Sequence, residues 1–380
     1  MLKVELKKTV DNSYPIEIGS QILGKISSYI KKTTDAKKLL IVTNETVFRL
    51  YYEKIAVSLK DFEVEKIVLK DGEKFKNAAS LQKIWDAALK FKLERKDAMI
   101  ALGGGVIGDI TGFAAATYLR GIDFIQVPTT LLAQVDSSVG GKVAINHPLG
   151  KNMLGAFYQP KLVLIDTATL KTLPERELKT GLGEVLKYAF IEDSCGCAES
   201  LDLLGFLKEN KTAIYNLDMI ILEKLVTHCC RLKAAVVAQD ERESGLRAIL
   251  NLGHTIGHAI EKVTSYKKFT HGEAVALGLV GAFELAFAKN LISADYLTEA
   301  KELLKLYEIV PRFNQNPKKI AKATAYDKKV KDSKVRFVLP VSRGEVEIFD
   351  DVTEKEIIAV VKKVRDFTSG GKKGWKFFGY

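Results

Sequence analysis

The chain has 380 residues, of which 47% are hydrophobic and 28% charged, and its formal net charge is +11. Because this length exceeds that of a typical single hydrophobic core, we expect two domains. The composition is typical of a globular protein, and no apolar run approaches the roughly 18 to 20 residues of a membrane span, which we therefore exclude at this stage.

The positive charge indicates an anionic partner, either nucleic acid or a phosphorylated and carboxylated metabolite. Lysines alternate with acids, as in residues 54–66 and 318–334, and do not form a basic stripe interleaved with aromatic residues. This pattern favours a small-molecule substrate over nucleic acid. Residues 1–6 resemble a strand and lack the features of a signal or transit peptide, which predicts a cytoplasmic protein.

The first half of the chain shows short apolar runs alternating with helical patterns, which predicts an α/β domain with a largely parallel sheet. Residues 4–6 and 14–18 predict an opening hairpin. Further strands are expected at 38–43, 64–69, 98–102, 124–127 and 162–165, and helices at 47–59 and 79–91.

The second half is dominated by helical patterns, which predicts a mostly α-helical domain. The helices are expected at 177–191, 217–239, 254–263, 273–289 and 294–307, followed by a hairpin of 337–339 with 346–349 and a last helix ending near Asp366. Pro174 can open the first of these helices. The predicted organisation is an α/β domain over residues 1–175, a helical domain over 176–366 and a basic tail over 367–380.

The four cysteines form two close pairs in the sequence, Cys195 with Cys197 and Cys229 with Cys230. Together with His228 they have the composition of a soft-metal site. The helical apolar pattern around Cys229 favours buried structural thiols instead.

A glycine-rich segment from Gly103 to Asp109 follows a predicted strand and precedes the helical pattern of residues 110–119. Glycines let the backbone approach a pyrophosphate, and a helix N-terminus offers free N–H groups to it. The acid that a classical dinucleotide fold carries about twenty residues later has no clear counterpart. We therefore predict a non-classical nucleotide-binding domain, with a tight strand-to-helix turn as the alternative.

Three histidines lie within eighteen positions: His254, His258 and His271. Two histidines with one carboxylate are a common catalytic zinc set with an open coordination position. Spacing alone nominates His254 and His258 as the paired ligands, and Glu184 as one of several candidate carboxylates. The alternative is a polar helix face with hydrogen-bonded histidines.

Five basic residues lie near glycines, asparagines or acids in otherwise apolar surroundings: Lys142, Lys151, Lys187, Lys233 and Arg247. Each one alone is typical of a solvated surface charge. As a set they suit a substrate with both a phosphate and a carboxylate, since arginine offers a bidentate fork and lysine a point charge.

Over nearly its whole length the sequence resembles the 3-dehydroquinate synthase family. The stretches that carry the resemblance include Gly183-Glu-Val-Leu-Lys187 and residues 14–19, 71–76, 103–109, 118–121, 126–142, 146–152, 247–258 and 271–276.

The resemblance implies a carbon–oxygen lyase of the shikimate pathway to aromatic amino acids. Its substrate would be 3-deoxy-D-arabino-heptulosonate 7-phosphate, and its products 3-dehydroquinate and phosphate. NAD would act without net redox change, Zn²⁺ or alternatively Co²⁺ would be the metal, and the protein would be a homodimer. The implied fold is an NAD-binding α/β domain followed by a helical metal-binding domain.

The resemblance also implies residue roles. Glu184, His254 and His271 would bind the metal, in place of the pairing suggested by spacing, and His258 would transfer protons or contact phosphate. Asp136 and Lys187 would contact substrate hydroxyls, and Lys233 and Arg247 its carboxylate. The phosphate would be bound by Lys142, Asn152, Asn251, Lys328 and Arg120, with Arg120 coming from a partner subunit. The residues implied for NAD are Glu73, Lys76, Gly104, Gly105, Asp109, Thr129, Thr130, Lys142, Lys151, Thr172 and Leu173.

Three other functions compete with this one. A different sugar phosphate cyclase would keep the fold, NAD and metal, although Lys142, residues 146–148 and the pair Lys233 and Arg247 favour the heptulosonate. A metal-dependent alcohol or glycerol dehydrogenase would accumulate NADH. A nucleic-acid-binding protein would show strongly salt-dependent binding to DNA.

Overall fold

A computed structural model of the chain describes residues 11–199, 201–326 and 335–369. The chain forms two compact units: an N-terminal unit of Met1–Thr129 and Ser137–Thr167, and a C-terminal unit of Thr130–Asp136 and Ala168–Tyr380. Three predicted features lie outside the described residues: the strand at 4–6, Lys328 and the tail beyond residue 369.

The N-terminal unit contains a parallel sheet of six strands in the order β1-β8-β5-β4-β2-β3. The strands are β1 (Ile16–Gly19), β2 (Lys38–Asn44), β3 (Glu63–Leu69), β4 (Ala98–Gly103), β5 (Asp123–Pro128) and β8 (Leu162–Asp166). The helices are α1 (Ile26–Thr33), α2 (Glu45–Ala56), α3 (Ala78–Lys90) and α4 (Gly105–Thr117). The strands predicted for this sheet are confirmed, with ends shifted by at most two residues.

The apolar runs of the sheet are buried on both faces, as in other parallel sheets. Alternate residues of β2 enter different cores: Leu40 and Val42 pack with Met99 on one side, and Leu39 and Ile41 pack with Ile100 on the other. Helices α3 and α4 cover the first face and α1 and α2 the second. Because helices cover both faces of the sheet, the strands appear in the sequence as continuous apolar runs.

The sequence analysis missed an antiparallel hairpin of β6 (Lys142–His147) and β7 (Gly150–Phe157). Only one of its strands has the apolar burial of a core strand: Val143, Ala144 and Ile145 are buried, whereas residues 152–155 are exposed. Polar residues and glycines in both strands obscure the two-residue alternation on which strand prediction depends.

The C-terminal unit is mostly helical, as predicted. Its helices are α5 (Glu175–Ile191), α6 (Leu203–Tyr215), α7 (Met219–Gln239), α8 (His254–Val263), α9 (His271–Ala288), α10 (Ala294–Leu306), α11 (Pro317–Tyr326) and α12 (Glu354–Ser369), and its hairpin is β9 (Phe337–Ser342) with β10 (Glu345–Phe349). Helices α6 and α11 were not predicted, and α12 continues three residues past the predicted end at Asp366.

Helix α9 corrects the statement that no segment approaches the length of a membrane span. Its 18 residues have a mean hydropathy of 1.3, enough by length and composition to cross a bilayer. However, 78% of this window is buried inside the structure, as in the core helix of a globular protein. A single helix of this kind is weak evidence of a membrane span.

Glycines bring α5, α8 and α9 into close contact. A Cβ atom at Gly183 of α5 would lie 2.7 Å from the carbonyl oxygen of Gly272 in α9. At Gly278 of α9 it would overlap the carbonyl group of Gly253, the residue that precedes α8. Since each of these helices carries one of the residues Glu184, His254 and His271, the glycine contacts set the spacing of the candidate metal ligands.

We expect Gly278→Ala to lower the free energy of unfolding by about 2 kcal/mol or more, because overpacking against rigid backbone usually costs about 1–3 kcal/mol. The matched control is Gly281→Ala in the same helix, where the added Cβ meets only side-chain atoms, the end of Ile256 at 2.6 Å and Val364 at 3.6 Å. Denaturant unfolding of the two variants measures the difference. Equal unfolding midpoints would show that the close contact at Gly278 is not required.

Candidate active site

The glycine loop lies at the carboxyl end of β4, where the order of strands reverses. After β2 the chain adds β3 on one side and then β4 on the other. In open parallel sheets such a reversal point forms the usual ligand crevice. A Cβ atom at Gly105 would lie 2.9 Å from Ser137 Oγ, and one at Gly108 would lie 2.6 Å from Gln126 Oε1. A side chain at either position would therefore crowd a neighbouring side chain, and the backbone N–H groups at the start of α4 suit a phosphate.

Several residues predicted to bind NAD or the substrate phosphate belong to one hydrogen-bonded network next to this loop. The nearly buried Lys76 forms an ion pair with Asp109 and donates a hydrogen bond to Asn152 Oδ1 at 2.6 Å. Asn146 links the same groups, since its Nδ2 donates to Glu73 Oε1 at 2.7 Å and its Oδ1 accepts from the Asn152 N–H at 2.9 Å. The structure thus places Asn152, predicted to contact the substrate phosphate, among the residues predicted for NAD.

The other predicted nucleotide and phosphate residues are distributed over both units. In the N-terminal unit, Lys142 and the half-buried Lys151 lie on the β6–β7 hairpin, the Thr129 N–H donates to Gly103 O, and Arg120 is exposed. Thr130, Thr172, Leu173 and Asn251 belong to the C-terminal unit.

The structure brings Glu184, His254 and His271 together in the C-terminal unit. Their ligand atoms all lie within 4.8 Å of one another. Nε2 of His254 lies 3.3 Å from Glu184 Oε1, and Nε2 of His271 lies 3.2 Å from the same oxygen. Zinc bonds of about 2.0–2.1 Å in a tetrahedron place neighbouring ligand atoms about 3.3 Å apart, so these residues fit such an ion.

His258 belongs to a different group, with Glu261 and His271. Glu261 Oε2 lies 3.3 Å from His271 Nδ1, so the two ring nitrogens of His271 face two different carboxylates. Within the described residues, no group of three potential ligands contains both His254 and His258, and none contains a cysteine. Neither the pairing suggested by spacing nor a soft-metal site is therefore formed in this part of the chain.

The groups around Glu184 hold its side chain in the carboxylate form. Burial alone would raise the pKa of Glu184, but Lys187 and His254 hold it well below its ordinary value. Burial would lower the pKa of His271, yet its hydrogen bonds with Glu184 and Glu261 raise it to about 10. Burial lowers the pKa of His254. The neutral imidazole of His254 and the carboxylate of Glu184 are the protonation states that bind a metal.

A buried charged cluster adjoins this triad. Lys187 Nζ lies 2.5 Å from Glu184 Oε2 and 3.7 Å from Asp136 Oδ1. Lys233 Nζ lies 2.9 Å from the same Asp136 oxygen, and the Tyr188 hydroxyl donates to it at 2.9 Å. Burial would raise the pKa of Asp136, but Lys233 and Lys187 lower it, so the group remains an anion. The predicted hydroxyl-binding residues Asp136 and Lys187 are therefore neighbours.

A loop after α7 holds the predicted carboxylate ligand Arg247, whose side chain is buried. Asp240 accepts hydrogen bonds from the backbone N–H groups of Ser244, Gly245 and Arg247. Arg247 Nη1 donates to the carbonyl oxygen of Glu241 at 2.5 Å. Asp240 thus holds the backbone that leads into Arg247, the second residue of a short 3-10 helix, Leu246–Asn251.

Glu243 was not among the predicted site residues, and its Oε1 accepts a hydrogen bond from Asn251 Nδ2 at 3.2 Å. Its backbone lies in the left-handed region, with φ of 59°. The signal for it in the sequence was the group of acids between the end of α7 and the glycine that precedes Arg247.

Comparison with known proteins identifies the family. The 3-dehydroquinate synthase N-terminal family matches residues 66–180, and the C-terminal family matches residues 181–330. The 3-dehydroquinate synthase of Desulforamulus reducens is 48% identical over 358 residues, which cover 93% of this chain and 98% of the relative. That of Colwellia psychrerythraea is 47% identical over 350 residues, covering 90% and 96%.

Solved structures show the same architecture. A 2-epi-5-epi-valiolone synthase from Streptomyces hygroscopicus subsp. jinggangensis, with NAD⁺ and Zn²⁺ bound, has a TM-score of 0.86 and 26% identity, covering 96% of this chain and 99% of its own. A 2-deoxy-scyllo-inosose synthase with carbaglucose-6-phosphate, NAD⁺ and Co²⁺ has a TM-score of 0.77 and 26% identity, covering 93% and 96%.

A glycerol dehydrogenase from Schizosaccharomyces pombe shares only the fold, with a TM-score of 0.67 and 17% identity, and covers 98% of this chain and 95% of its own. The synthases match at far higher identity and over nearly their full length. The chain belongs to the 3-dehydroquinate synthase family.

Proposed function

We propose that the chain converts 3-deoxy-D-arabino-heptulosonate 7-phosphate into 3-dehydroquinate and inorganic phosphate, with catalytic NAD and one divalent metal ion. The observation that carries the proposal is the triad of His254, His271 and the buried Glu184 next to a cluster of buried cations. The carboxylate and phosphate of the substrate are anions that such cations would bind, and its vicinal hydroxyls would lie at the metal ion.

Glu184, His254 and His271 would hold the metal, and the residues around the glycine loop would hold NAD. When bound, the metal ion would polarise a substrate hydroxyl and NAD would accept and later return a hydride. Zn²⁺ is the ion that we propose, with Co²⁺ as a substitute, because both ions occur with NAD⁺ in the related cyclases.

The chain's own groups would orient the substrate and compensate its charges. Lys233 and Arg247 would bind the carboxylate, and both are buried, which strengthens their electrostatic interactions. Asp136 and Lys187 would orient the hydroxyls near the metal ligands. His258 would transfer a proton. The proposed phosphate ligands are Lys142, Asn152, Asn251, Arg120 and Lys328, the last of which lies outside the described residues.

A comparison of substrates tests this function against that of another sugar phosphate cyclase. The purified enzyme with NAD and Zn²⁺ is expected to release phosphate from the heptulosonate and not from glucose 6-phosphate, which has no carboxylate for Lys233 and Arg247. Phosphate release from glucose 6-phosphate alone would overturn the proposal.

Lys76→Met is expected to weaken NAD binding by about 10- to 100-fold, since hydrogen bonds to charged groups contribute about 1.5–3 kcal/mol. The variant also removes the ion pair between Lys76 and Asp109. Calorimetric titration with NAD measures the affinity. Lys74→Met, at an exposed position two residues earlier, is the control and should bind NAD normally. Equal affinities of both variants would exclude Lys76 from the NAD site.

We also propose a cytoplasmic homodimer in which the outer face of β7 is covered by a second copy of the chain. The hairpin exposes several large apolar side chains: Leu149 is 91% exposed, Met153 61%, Leu154 46% and Phe157 45%. Such a group on an edge strand favours association. Met153→Lys, which lies on the same face of β7 as Phe157, is expected to shift the protein from dimer to monomer in sedimentation experiments. A monomeric wild type, or a variant that remains dimeric, would contradict this interface.

A further inference from the structure

Three donors converge on one oxygen of Asp136. The Tyr188 hydroxyl, Lys233 Nζ and Lys187 Nζ lie 2.9, 2.9 and 3.7 Å from Oδ1. In the described part of the chain, the structure shows no hydrogen bond or ion pair to Oδ2, and the side chain is 26% exposed. The carboxylate therefore presents its second oxygen for a further donor, such as a substrate hydroxyl.

The two lysines have other anionic or polar partners, whereas within the described residues the structure shows no other hydrogen bond of the Tyr188 hydroxyl. Lys187 lies closer to Glu184 than to Asp136, and Lys233 also donates to the backbone oxygen of Asp136 at 2.7 Å. Each lysine thus divides its donors between the Asp136 carboxylate and a second acceptor. Tyr188 is fully buried, and its hydroxyl donates to Asp136.

Tyr188 is also rigidly placed relative to the metal ligands. It follows Glu184 by four residues in α5, so the two side chains lie on the same face of the helix. Burial and the charge of Asp136 raise the pKa of Tyr188 well above its ordinary value, so its hydroxyl stays protonated and can only donate to the carboxylate. One helical turn thus fixes both a metal ligand and the donor to Asp136.

We propose that Tyr188 is a positioning residue, which orients Asp136 by donating to Oδ1 so that Oδ2 faces the substrate hydroxyls. This inference rests on the proposed function of Asp136 as a hydroxyl-binding residue. Tyr188 itself does not contact the substrate and acts through Asp136.

The test compares Tyr188→Phe with Tyr307→Phe, a control at an equally buried tyrosine whose hydroxyl donates to Leu207 O at 2.8 Å. Each variant loses one buried hydrogen bond. We expect Tyr188→Phe to lower kcat for the heptulosonate about 10-fold, the effect of losing a hydrogen bond to a charged group. Tyr307→Phe should stay within about 2-fold of wild type, and NAD affinity and metal content should be unchanged in both.

A double-mutant cycle separates positioning from a general structural effect. In an Asp136→Asn background, Tyr188→Phe should lower kcat by less than about 2-fold further, since the tyrosine acts through that carboxylate. Every variant is assayed under conditions in which circular dichroism shows that it is folded. Wild-type kcat in Tyr188→Phe, or full additivity in the double variant, would overturn the inference. Absence of turnover in wild type would instead refute the proposed function.

Discussion

Glu184→Gln is expected to remove the bound metal ion and to reduce phosphate release about 1000-fold or more. Metal ions stabilise transition-state charge by several kcal/mol, and each 1.4 kcal/mol is about tenfold in rate. The amide keeps the size of the side chain but loses the charge that attracts a cation. It also leaves Lys187 without its closest anion in a pair whose side chains are only 2% and 1% exposed.

Two measurements distinguish loss of the metal ion from loss of stability in Glu184→Gln, and a second variant serves as the control. Plasma mass spectrometry gives the metal content per chain, and denaturant unfolding gives the stability, which should fall because breaking a buried ion pair costs about 3–5 kcal/mol. His258→Gln should keep the metal and lose about 100-fold in turnover, as expected for a proton-transfer group. A Glu184→Gln variant with full metal content would exclude Glu184 as a ligand.

Arg247→Gln is expected to lower kcat/KM for the heptulosonate by about 100-fold or more, since truncating one partner of a buried charged contact costs about 2–5 kcal/mol. Metal content should be unchanged, because Arg247 lies outside the ligand triad. Arg343→Gln is the control: this arginine is 54% exposed and pairs with Asp202 on the surface. Steady-state kinetics measures both variants. An unchanged kcat/KM in Arg247→Gln would rule out its role in carboxylate binding.

The sequence predicts the fold wherever the buried residues of an element form a regular pattern along the chain. The parallel strands are continuous apolar runs because both faces of the sheet are covered, and α8 was predicted with its observed ends, His254–Val263. The β6–β7 hairpin was missed because β7 is mostly exposed and has no apolar alternation. Helix α6 was missed because Gly205 and a polar stretch interrupt its apolar face.

From spacing alone, without the family resemblance, the site was predictable only where its residues are neighbours in the sequence. The glycine loop is one continuous segment, so its position after β4 could be inferred. Spacing paired His254 with His258, whereas the structure gathers ligands from three helices whose approach depends on glycine contacts. Tyr188 and Glu261 were not predicted, since their partners Asp136 and His271 become neighbours only through tertiary packing.

The most direct test of the account measures inorganic phosphate and NADH in the same reaction, with the heptulosonate in excess over enzyme and NAD. We expect many phosphates to be released per NAD, with no NADH accumulating, because the hydride returns within each turnover. NADH formed in a one-to-one ratio with product would contradict this, and would assign the chain the chemistry of the dehydrogenases that share its fold.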